Sequence, residues 1–314
     1  MSAVIAHLVA AIVPASAAMA AARASDGAMA AWLAGARHAV HPTLGRRAVV
    51  CVLADHGVVA TGAELGAEHP TAAAAQAIAR GEAAVARAAA SAGAALVLID
   101  AGVASPAAMP DAVIRVARTP SGDLATGAAL TPIEVVASLE AGVAITTALA
   151  EDGLDVIALG SLGAGADLAA AAVIAALTGA GAELAVTDGR ALVASGLATL
   201  APNPTALDVV AAVGGHDIAV ACGVILAAAA MYVPIVVDGA TALAAALVAT
   251  RLAPATRDYL ACAHAGGGGA AAAARAALAL TPMLSIGLGH GEGTGAALVL
   301  PVLAAATGTA PASS

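Results

Sequence analysis

Aromatic residues are nearly absent from this sequence of 314 residues, which has one Trp, two Tyr and no Phe. A surface on which nucleic-acid bases stack needs several such side chains. Basic residues are scarce as well, because 12 Lys and Arg stand against 21 Asp and Glu, without any basic run. Together these shortages argue against a nucleic-acid partner.

Cysteine is also scarce, and its three copies, Cys51, Cys222 and Cys262, lie far apart in the sequence. No Cys-x-x-Cys pair occurs, so neither a disulfide framework nor a zinc site is indicated. We expect all three to be small buried hydrophobic residues in a reducing compartment. The histidines show no metal-ligand spacing, and we predict no metal and no other cofactor.

Charged residues make up only 11% of the chain, and its mean hydropathy is +0.95. Alanine inflates that value without adding much transfer free energy. One long charge-free window, Ile218–Val237 between Asp217 and Asp238, contains Pro234 and is predicted as a helix to about Met231 followed by a strand at Val233–Val237. A membrane span needs about 20 uninterrupted apolar residues. No Lys or Arg precedes Arg23, whereas a signal peptide requires a positive charge near its start. We therefore expect a cytoplasmic protein with no membrane partner.

Short apolar runs rich in β-branched residues alternate with long Ala-rich segments of helical character. This alternation predicts an α/β fold, with a mostly parallel sheet and helices on both faces. The runs are apolar throughout, as in strands covered on both sides. The predicted strands are Val49–Ala54, Ala95–Ile99, Val113–Val116, Asp155–Leu159, Val233–Val237 and Met283–Leu288.

One helix start is well marked. Thr131 is a suitable N-cap, Pro132 follows at the first helical position, and Glu134 completes a capping box. We expect this helix to end near Glu151–Gly153.

Polar and glycine residues follow the predicted strands. Because ligands of open α/β sheets bind beyond the carboxyl ends of the strands, this edge is the default active site. The segments concerned are Asp55-His56-Gly57, Asp100-Ala101-Gly102, Gly160–Gly165, Asp238-Gly239 and Gly289–Gly295.

The segment Gly289–Gly295 is the most informative of these, since every second residue is glycine and a helix follows. Backbone amides at a helix start favour an anion such as phosphate. Its central Glu292 is either a partner of the helix dipole or a catalytic group. Gly160–Gly165 is a second glycine loop, either a tight turn or a phosphate cradle.

Three further motifs are less specific. Asp55 and His56 could be an acid–base pair, or His56 could simply be hydrogen-bonded at a strand end. Asp217, after Gly214-Gly215-His216, could be a helix N-cap. The run Gly266–Gly269 is either flexible or a place where the backbone approaches a ligand closely.

Taken together, the motifs resemble one family, the nicotinate-nucleotide–dimethylbenzimidazole phosphoribosyltransferases of cobalamin lower-ligand synthesis. The matching pieces, in the order of the family, run from about residue 49 to 305. They are Ala54-Asp55-His56-Gly57-Val58, Ile99-Asp100-Ala101-Gly102-Val103, Arg115-Val116-Ala117-Arg118, Val213-Gly214-Gly215-His216-Asp217, Val237-Asp238-Gly239 and Gly291-Glu292-Gly293-Thr294-Gly295-Ala296-Ala297.

The resemblance implies a Rossmann-like α/β domain at 46–292 and a small helical domain formed by 1–45 and 293–314. It also implies a homodimer whose partner subunit contributes to each active site. The implied reaction transfers the ribose 5-phosphate of nicotinate mononucleotide to a benzimidazole, which releases nicotinate and gives the α-ribotide. Nicotinate leaves as a neutral ring nitrogen, so neither a general acid nor a metal is needed there.

The resemblance also implies roles for individual residues. Glu292 matches the general base that accepts the N–H proton of the incoming base. The residues implied on the nucleotide and phosphate side are Gly163, Gly165, Gly291, Gly293, Thr294 and Arg190. Those implied in or near the base pocket are Asp55, His56, Ser161, Gly215, Asp238 and His264.

The sequence departs from the family mainly on the base side. Ser161 stands where the family has a second glutamate, and its Pro-Pro-Gly-Ser-Leu-Gly loop is not reproduced at Arg37–Arg47. A serine and a glutamine of the base pocket fall on Gly66 and Ala74, and glycines follow His264 in place of Ser-Ala-Glu.

Three hypotheses follow from these departures. The first is an active transferase, with the family's base or an altered acceptor. The second is a non-catalytic binding or regulatory subunit of the same fold, which the loss of the carboxylate at Ser161 favours and the presence of Glu292 opposes. The third, a dinucleotide-dependent dehydrogenase, is disfavoured because no Gly-x-Gly-x-x-Gly follows the first predicted strand.

Overall fold

The computed structural model describes residues 1–59, 69–105, 108–289 and 291–307, and within these residues seven strands form one sheet. They are, in chain order, β1 (Arg47–Leu53), β2 (Ala95–Ala101), β3 (Ile114–Ala117), β4 (Val156–Leu162), β5 (Ile235–Val237), β6 (Leu260–His264) and β7 (Pro282–Leu284). Their order across the sheet is β3-β2-β1-β4-β5-β6-β7, and every neighbouring pair is parallel. The strand order reverses its direction between β1 and β4, and sheets of this kind bind ligands at that point.

Helices cover both faces of the sheet, so the predicted α/β fold is confirmed. Those in the described residues are α1 (Ala3–Ala11), α2 (Ala17–Ala22), α3 (Ala28–Ala36), α4 (Pro70–Ala79), α5 (Ala84–Ser91), α6 (Pro132–Glu151), α7 (Ala166–Thr178), α8 (Arg190–Ala198), α9 (Ala206–Val213), α10 (His216–Ala230), α11 (Gly239–Leu252), α12 (Gly268–Ala277) and α13 (Thr294–Thr307).

Each face of the sheet has its own apolar core, because side chains along a strand alternate between faces. In β1, Val50 and Val52 belong to the core that α6, α7, α10 and α11 cover, whereas Val49 and Cys51 belong to the core with α5 and α13. All three cysteines are buried and unpaired, as predicted.

Helices α6 and α10 approach each other closely, in line with the expected Ala- and Gly-rich packing. A Cβ on Gly142 would overlap the carbonyl oxygen of Val220, and one on Gly223 would overlap that of Leu139. The predicted capping box of α6 is confirmed, with Thr131 at the N-cap. By length and composition, α6 is also the one described helix that could cross a membrane, although 28% of its apolar window is buried in the protein.

The prediction for the charge-free window is confirmed, because α10 ends at Ala230 and β5 begins at Ile235. One strand was missed and another was predicted too long. Strand β6 was missed, since Leu-Ala-Cys-Ala-His contains no β-branched residue to mark it. The strand predicted at Met283–Leu288 pairs with β6 only as far as Leu284, and Gly287 then adopts a left-handed φ of 65°.

The few aromatic side chains fasten the N-terminal helices to the segments before β5 and β6. Trp32 Nε1 donates to the carbonyl oxygen of Asp258 at 2.9 Å, and Tyr259 Oη donates to that of Val13 at 2.9 Å. The rings of Tyr232 and His38 lie 4.3 Å apart. Helix α3 also contacts α13, so segments near both chain ends meet. The division into 1–45, 46–292 and 293–314 stays a prediction, and residues 308–314 lie outside the described part.

Candidate active site

A cavity of about 290 Å³ opens beyond the carboxyl ends of β4, β5 and β6. Much of its wall is glycine, with Gly239 at the start of α11, Gly267–Gly269 at the start of α12, and Gly289 and Gly291 before α13. Side chains are absent at these positions, so backbone amides at helix starts can approach an anion directly. Among the described lining residues His264 is the only one that can carry a positive charge, and Asp167 is the only acidic one.

The Glu292 loop, defined here as Gly291–Gly293, lies directly on the end of β4. The backbone N–H of Ser161 donates to the carbonyl oxygen of Gly291 at 3.1 Å. A Cβ on Gly160 would overlap the backbone of Glu292 and Gly293, and Gly293 itself has a φ of +105°. Close backbone contact and positive φ explain why glycines surround Glu292.

Glu292 is half-buried, and its Oε1 accepts a hydrogen bond from Thr294 Oγ1 at 2.9 Å. Thr294 is buried as the first residue of α13. Burial raises the pKa of the Cys51 thiol in β1, and the charge of Glu292 raises it further. A Cβ on Gly293, the next residue along, would lie 3.6 Å from the Val49 side chain of β1. Glu292 therefore lies near the β1–β4 junction, on the loop that borders the cavity.

Asp238 and His264 form a buried pair beside this loop. Asp238 Oδ1 lies 2.7 Å from His264 Nδ1, and Asp238 Oδ2 accepts from the N–H of Gly295 at 2.7 Å. The other ring nitrogen, Nε2, lies 3.1 Å from the carbonyl oxygen of Leu288. Burial raises the pKa of Asp238. The charge of His264 and the hydrogen bonds that Asp238 accepts oppose that rise.

A second buried pair, His56 with Asp217, lies at the ends of β1 and β4. His56 Nε2 is 3.2 Å from Asp217 Oδ2, and Ser161 Oγ is 3.4 Å from the same oxygen. Ser161 Oγ also lies 2.9 Å from the carbonyl oxygen of Val52, to which it donates. Burial opposes the charged form of His56, but the attraction and hydrogen bond of Asp217 and the charge of Asp55 outweigh it and raise the His56 pKa.

These contacts decide between the interpretations of two motifs. His56 is hydrogen-bonded at the end of β1, to Asp217, and is not paired with its sequence neighbour Asp55. Asp217 is not the N-cap of α10, since Gly215 holds that position, and its Oδ1 accepts from the N–H of Ile218 at 2.8 Å.

Asp55 instead joins the segments after three strands. Its Oδ1 accepts from Thr71 Oγ1 at 2.5 Å and from the N–H of Ala164 at 2.9 Å, and its Oδ2 accepts from the N–H of Ala104 at 2.8 Å. His69 Nε2 lies 3.6 Å from Oδ2. The Asp55 carboxylate is fully buried, and these donors satisfy its hydrogen-bonding capacity. Asp55 therefore joins the loops that form the floor of the site.

Gly163, Gly165 and Gly215 border the site without lining the cavity. A Cβ on Gly163 would overlap the carbonyl oxygen of Ala54, one on Gly215 would overlap the His56 ring, and Gly165 has a φ of +82°. Arg190 stands exposed at the start of α8, where its Nε donates to the carbonyl oxygen of Ala185 at 3.3 Å.

Gly66 and Ala74 are the positions aligned above with a serine and a glutamine of the family's base pocket. Ala74 lies within α4. Gly66 lies outside the described residues.

Sequence reasoning missed the roles of Asp217, Thr71 and His69, which lie far from their partners in the chain. Only Asp217 carried a signal, through the Gly-Gly-His segment that leads into α10. In the part of the chain that the structure describes, no group of three or more His, Cys, Asp or Glu side chains is placed to hold a metal ion.

Comparison with known proteins points to one family. The family model described as phosphoribosyltransferase matches residues 27–312. The nicotinate-nucleotide–dimethylbenzimidazole phosphoribosyltransferase of Desulforudis audaxviator is 36% identical over 238 residues, which are 72% of this chain and 67% of that protein. The enzyme of the same name from Thermus thermophilus is 36% identical over 246 residues, or 74% of this chain and 73% of that protein.

A solved structure is similar over most of its length. The crystal structure of the nicotinate-nucleotide–dimethylbenzimidazole phosphoribosyltransferase from Thermus thermophilus superposes with a TM-score of 0.80 at 36% identity. The alignment covers 89% of this chain and 87% of that one.

Proposed function

Since this chain belongs to the phosphoribosyltransferase family, we propose that it moves the ribose 5-phosphate of nicotinate mononucleotide onto a benzimidazole-type base. The product is an α-ribotide, α-ribazole 5′-phosphate when the base is dimethylbenzimidazole, for assembly of the cobalamin nucleotide loop. The observation that carries the proposal is Glu292, a carboxylate on a glycine loop that borders an amide-lined cavity.

The chemistry needs one proton acceptor. The bond between the ribose C1′ and the pyridinium nitrogen breaks, and its electron pair leaves with nicotinate as a neutral ring nitrogen. One nitrogen of the base bonds to C1′, and the other nitrogen gives up its proton. The Glu292 carboxylate takes that proton, as a general base within hydrogen-bond reach of its substrate does.

The phosphate side of the substrate suits the cavity wall. Helices α11 and α12 both begin at the cavity, at Gly239 and Gly268. Amides and helix dipoles bind a phosphate without a metal ion. Gly291, Gly293 and Thr294 then hold Glu292 at the border of the cavity, where it can reach the incoming base, and Arg190 adds a positive charge at the border of the site.

The base side differs, which favours an altered acceptor as a second candidate. Ser161 Oγ lies 2.9 Å from the carbonyl oxygen of Val52 and 3.4 Å from Asp217. Serine has no carboxylate to offer an incoming base, and the Ser161 hydroxyl is already bonded within the protein. A pocket of this kind suits bases that bind without a second carboxylate beside Glu292. For this second candidate, a base other than dimethylbenzimidazole is the better substrate.

The purified protein should release nicotinate from nicotinate mononucleotide when dimethylbenzimidazole is present, as measured by chromatography. Release should continue in excess EDTA, because amides rather than a metal hold the phosphate. A reaction without base is the control for hydrolysis. Release from none of a panel of aromatic bases would instead support the non-catalytic binding subunit.

We further propose a cytoplasmic homodimer in which each subunit contributes to its partner's site. Four residues of α6, Ile133, Ala137, Ala144 and Ala148, are exposed at a spacing that places them on one helix face. Ile133 is 81% exposed, and a second copy would remove this apolar stripe from water. Light scattering should give about twice the chain mass of 29.3 kDa. A constant monomer mass over a wide concentration range would contradict the dimer.

A further inference from the structure

The Asp238–His264 pair contacts the chain on both sides of the Glu292 loop. Before the loop, His264 Nε2 lies 3.1 Å from the carbonyl oxygen of Leu288. After it, Asp238 Oδ2 accepts from the N–H groups of Gly295 at 2.7 Å and Ala296 at 3.4 Å. The 2.7 Å contact between Asp238 Oδ1 and His264 Nδ1 joins these two anchors.

The contacts show how many protons the Asp238–His264 pair holds. A carbonyl oxygen can only accept, so Nε2 must carry a proton to bond with Leu288. At 2.7 Å, Asp238 Oδ1 and His264 Nδ1 also need one proton between them, whichever of the two atoms carries it, because two lone pairs would repel at that distance. A pair with only one of these protons would turn a lone pair toward an oxygen lone pair at one of the two contacts.

We propose that His264 is a positioning residue, which shares a proton with Asp238 and so clamps the Glu292 loop in its reactive position. This inference rests on the proposed function, because it assumes that Glu292 is the general base. The clamp works through backbone contacts on either side of Glu292.

Charged and titratable groups approach His264 from several elements. Asp238, between β5 and α11, pairs with its ring, and Cys262 of β6 lies with its Sγ 3.6 Å from the His264 carbonyl oxygen. From α12, Arg275 donates to the carbonyl oxygen of Gly266 at 2.8 Å, and from α7, Asp167 lines the same cavity. On the loop itself stands Glu292. The nearest of these is the Asp238 carboxyl group, 2.7 Å from Nδ1 of the ring.

Loss of one proton from the pair removes one of these two hydrogen bonds. If the bond to Leu288 is lost, the loop is anchored only on its α13 side. If the bond between Asp238 and His264 is lost, the two anchors are no longer joined. Glu292 would then be held less firmly as the pH rises, so turnover should fall on the alkaline side.

Two substitutions separate the halves of the clamp. In His264→Asn the amide nitrogen takes the place of Nδ1 and reaches Asp238 only, whereas in His264→Gln it takes the place of Nε2 and reaches Leu288 only. Each variant should lower kcat roughly 10- to 100-fold, the usual effect of one charged hydrogen bond. Both should lack the alkaline fall of the wild type. His7→Asn, an exposed histidine in α1, is the matched control and should behave as the wild type.

Amide hydrogen exchange tests the clamp without any activity. In the wild type, exchange of peptides containing Gly295 and Ala296, corrected for intrinsic pH effects, should quicken as the pH rises. In His264→Asn it should be quick at every pH, while peptides from α6 stay unchanged. If the wild type releases no nicotinate but shows this exchange pattern, the proposed function fails and the proton-dependent clamp stands.

Exchange that is independent of pH in the wild type would overturn the clamp, even if nicotinate is released. An alkaline fall in kcat that persists in both His264 variants would overturn it as well. Should neither variant fold, the wild-type exchange profile still decides the question.

Discussion

Replacing Glu292 with Gln is expected to lower turnover by about 10²- to 10⁴-fold, the usual contribution of a positioned general base. Glutamine keeps the size of the side chain and can still accept from Thr294 Oγ1, the bond that spans 2.9 Å in the native protein. It cannot take a proton from the incoming base. Affinity for nicotinate mononucleotide, measured by calorimetry, should change little, because backbone amides hold the phosphate.

The alternative role for Glu292, a partner of the α13 dipole, predicts the reverse pattern. Stability would then fall by about 0.5–1 kcal/mol while turnover stayed nearly intact. Initial rate and melting temperature measured on the same variant separate the two roles. Glu151→Gln, at the exposed end of α6, is the matched control and should change neither quantity. A Glu292→Gln protein that melts lower and turns over normally would remove Glu292 from catalysis.

Replacing Asp217 with Ala is expected to lower the free energy of unfolding by about 3–5 kcal/mol at pH 6, as removal of one partner from a buried ion pair does. Asp217 is fully buried, and its carboxylate engages His56 at 3.2 Å and the N–H of Ile218 at 2.8 Å. Alanine leaves the buried His56 ring without its counter-charge, so the ring must give up its proton to stay buried, and it leaves the N–H of Ile218 without its acceptor. Urea denaturation measures the loss, and Asp111→Ala, in an exposed turn, should stay within about 0.5 kcal/mol of the wild type.

The effect of the Asp217 substitution should shrink as the pH rises. The His56 pKa is raised in the folded protein, so this group contributes its full stability below its unfolded pKa of about 6.5. That contribution is lost as the pH rises through the folded pKa. Without Asp217, burial alone would lower the His56 pKa, and the variant would lack this alkaline loss. A difference between the two proteins that stays constant from pH 6 to pH 9 would contradict the ion pair.

The fold was largely predictable from the sequence because most strands are marked by β-branched runs between Ala-rich helices. The exceptions have physical causes. Strand β6 has no sequence signal, since its Leu-Ala-Cys-Ala-His segment contains no β-branched residue. It is buried in the sheet, where it pairs with β5 on one side and β7 on the other. In the segment after β7, Ile286 has the composition of a strand residue but is 53% exposed and has no neighbouring strand to pair with.

The position of the site at one edge of the sheet was predictable, but the contacts between its side chains were not. Strand ends in a parallel sheet bring Asp55, Asp238 and Glu292 to one edge, whatever their partners are. Pairing of side chains depends on distances that no local pattern encodes. Thus His56 pairs with Asp217, 161 positions away, instead of with the adjacent Asp55. His264 was predicted in or near the base pocket. Its pairing with Asp238 could not be predicted, because His264 ends β6, a strand that the sequence pattern does not mark.

The most direct test of the proposed reaction is to quantify nicotinate and α-ribotide in the same reaction mixture over time. The purified protein with nicotinate mononucleotide and dimethylbenzimidazole, or the best base of the panel, should form both products in equal amounts, and neither should form without a base. Nicotinate released without an equal amount of ribotide would mean that water is the acceptor. Such a result would contradict transfer to an aromatic base as the function of this protein.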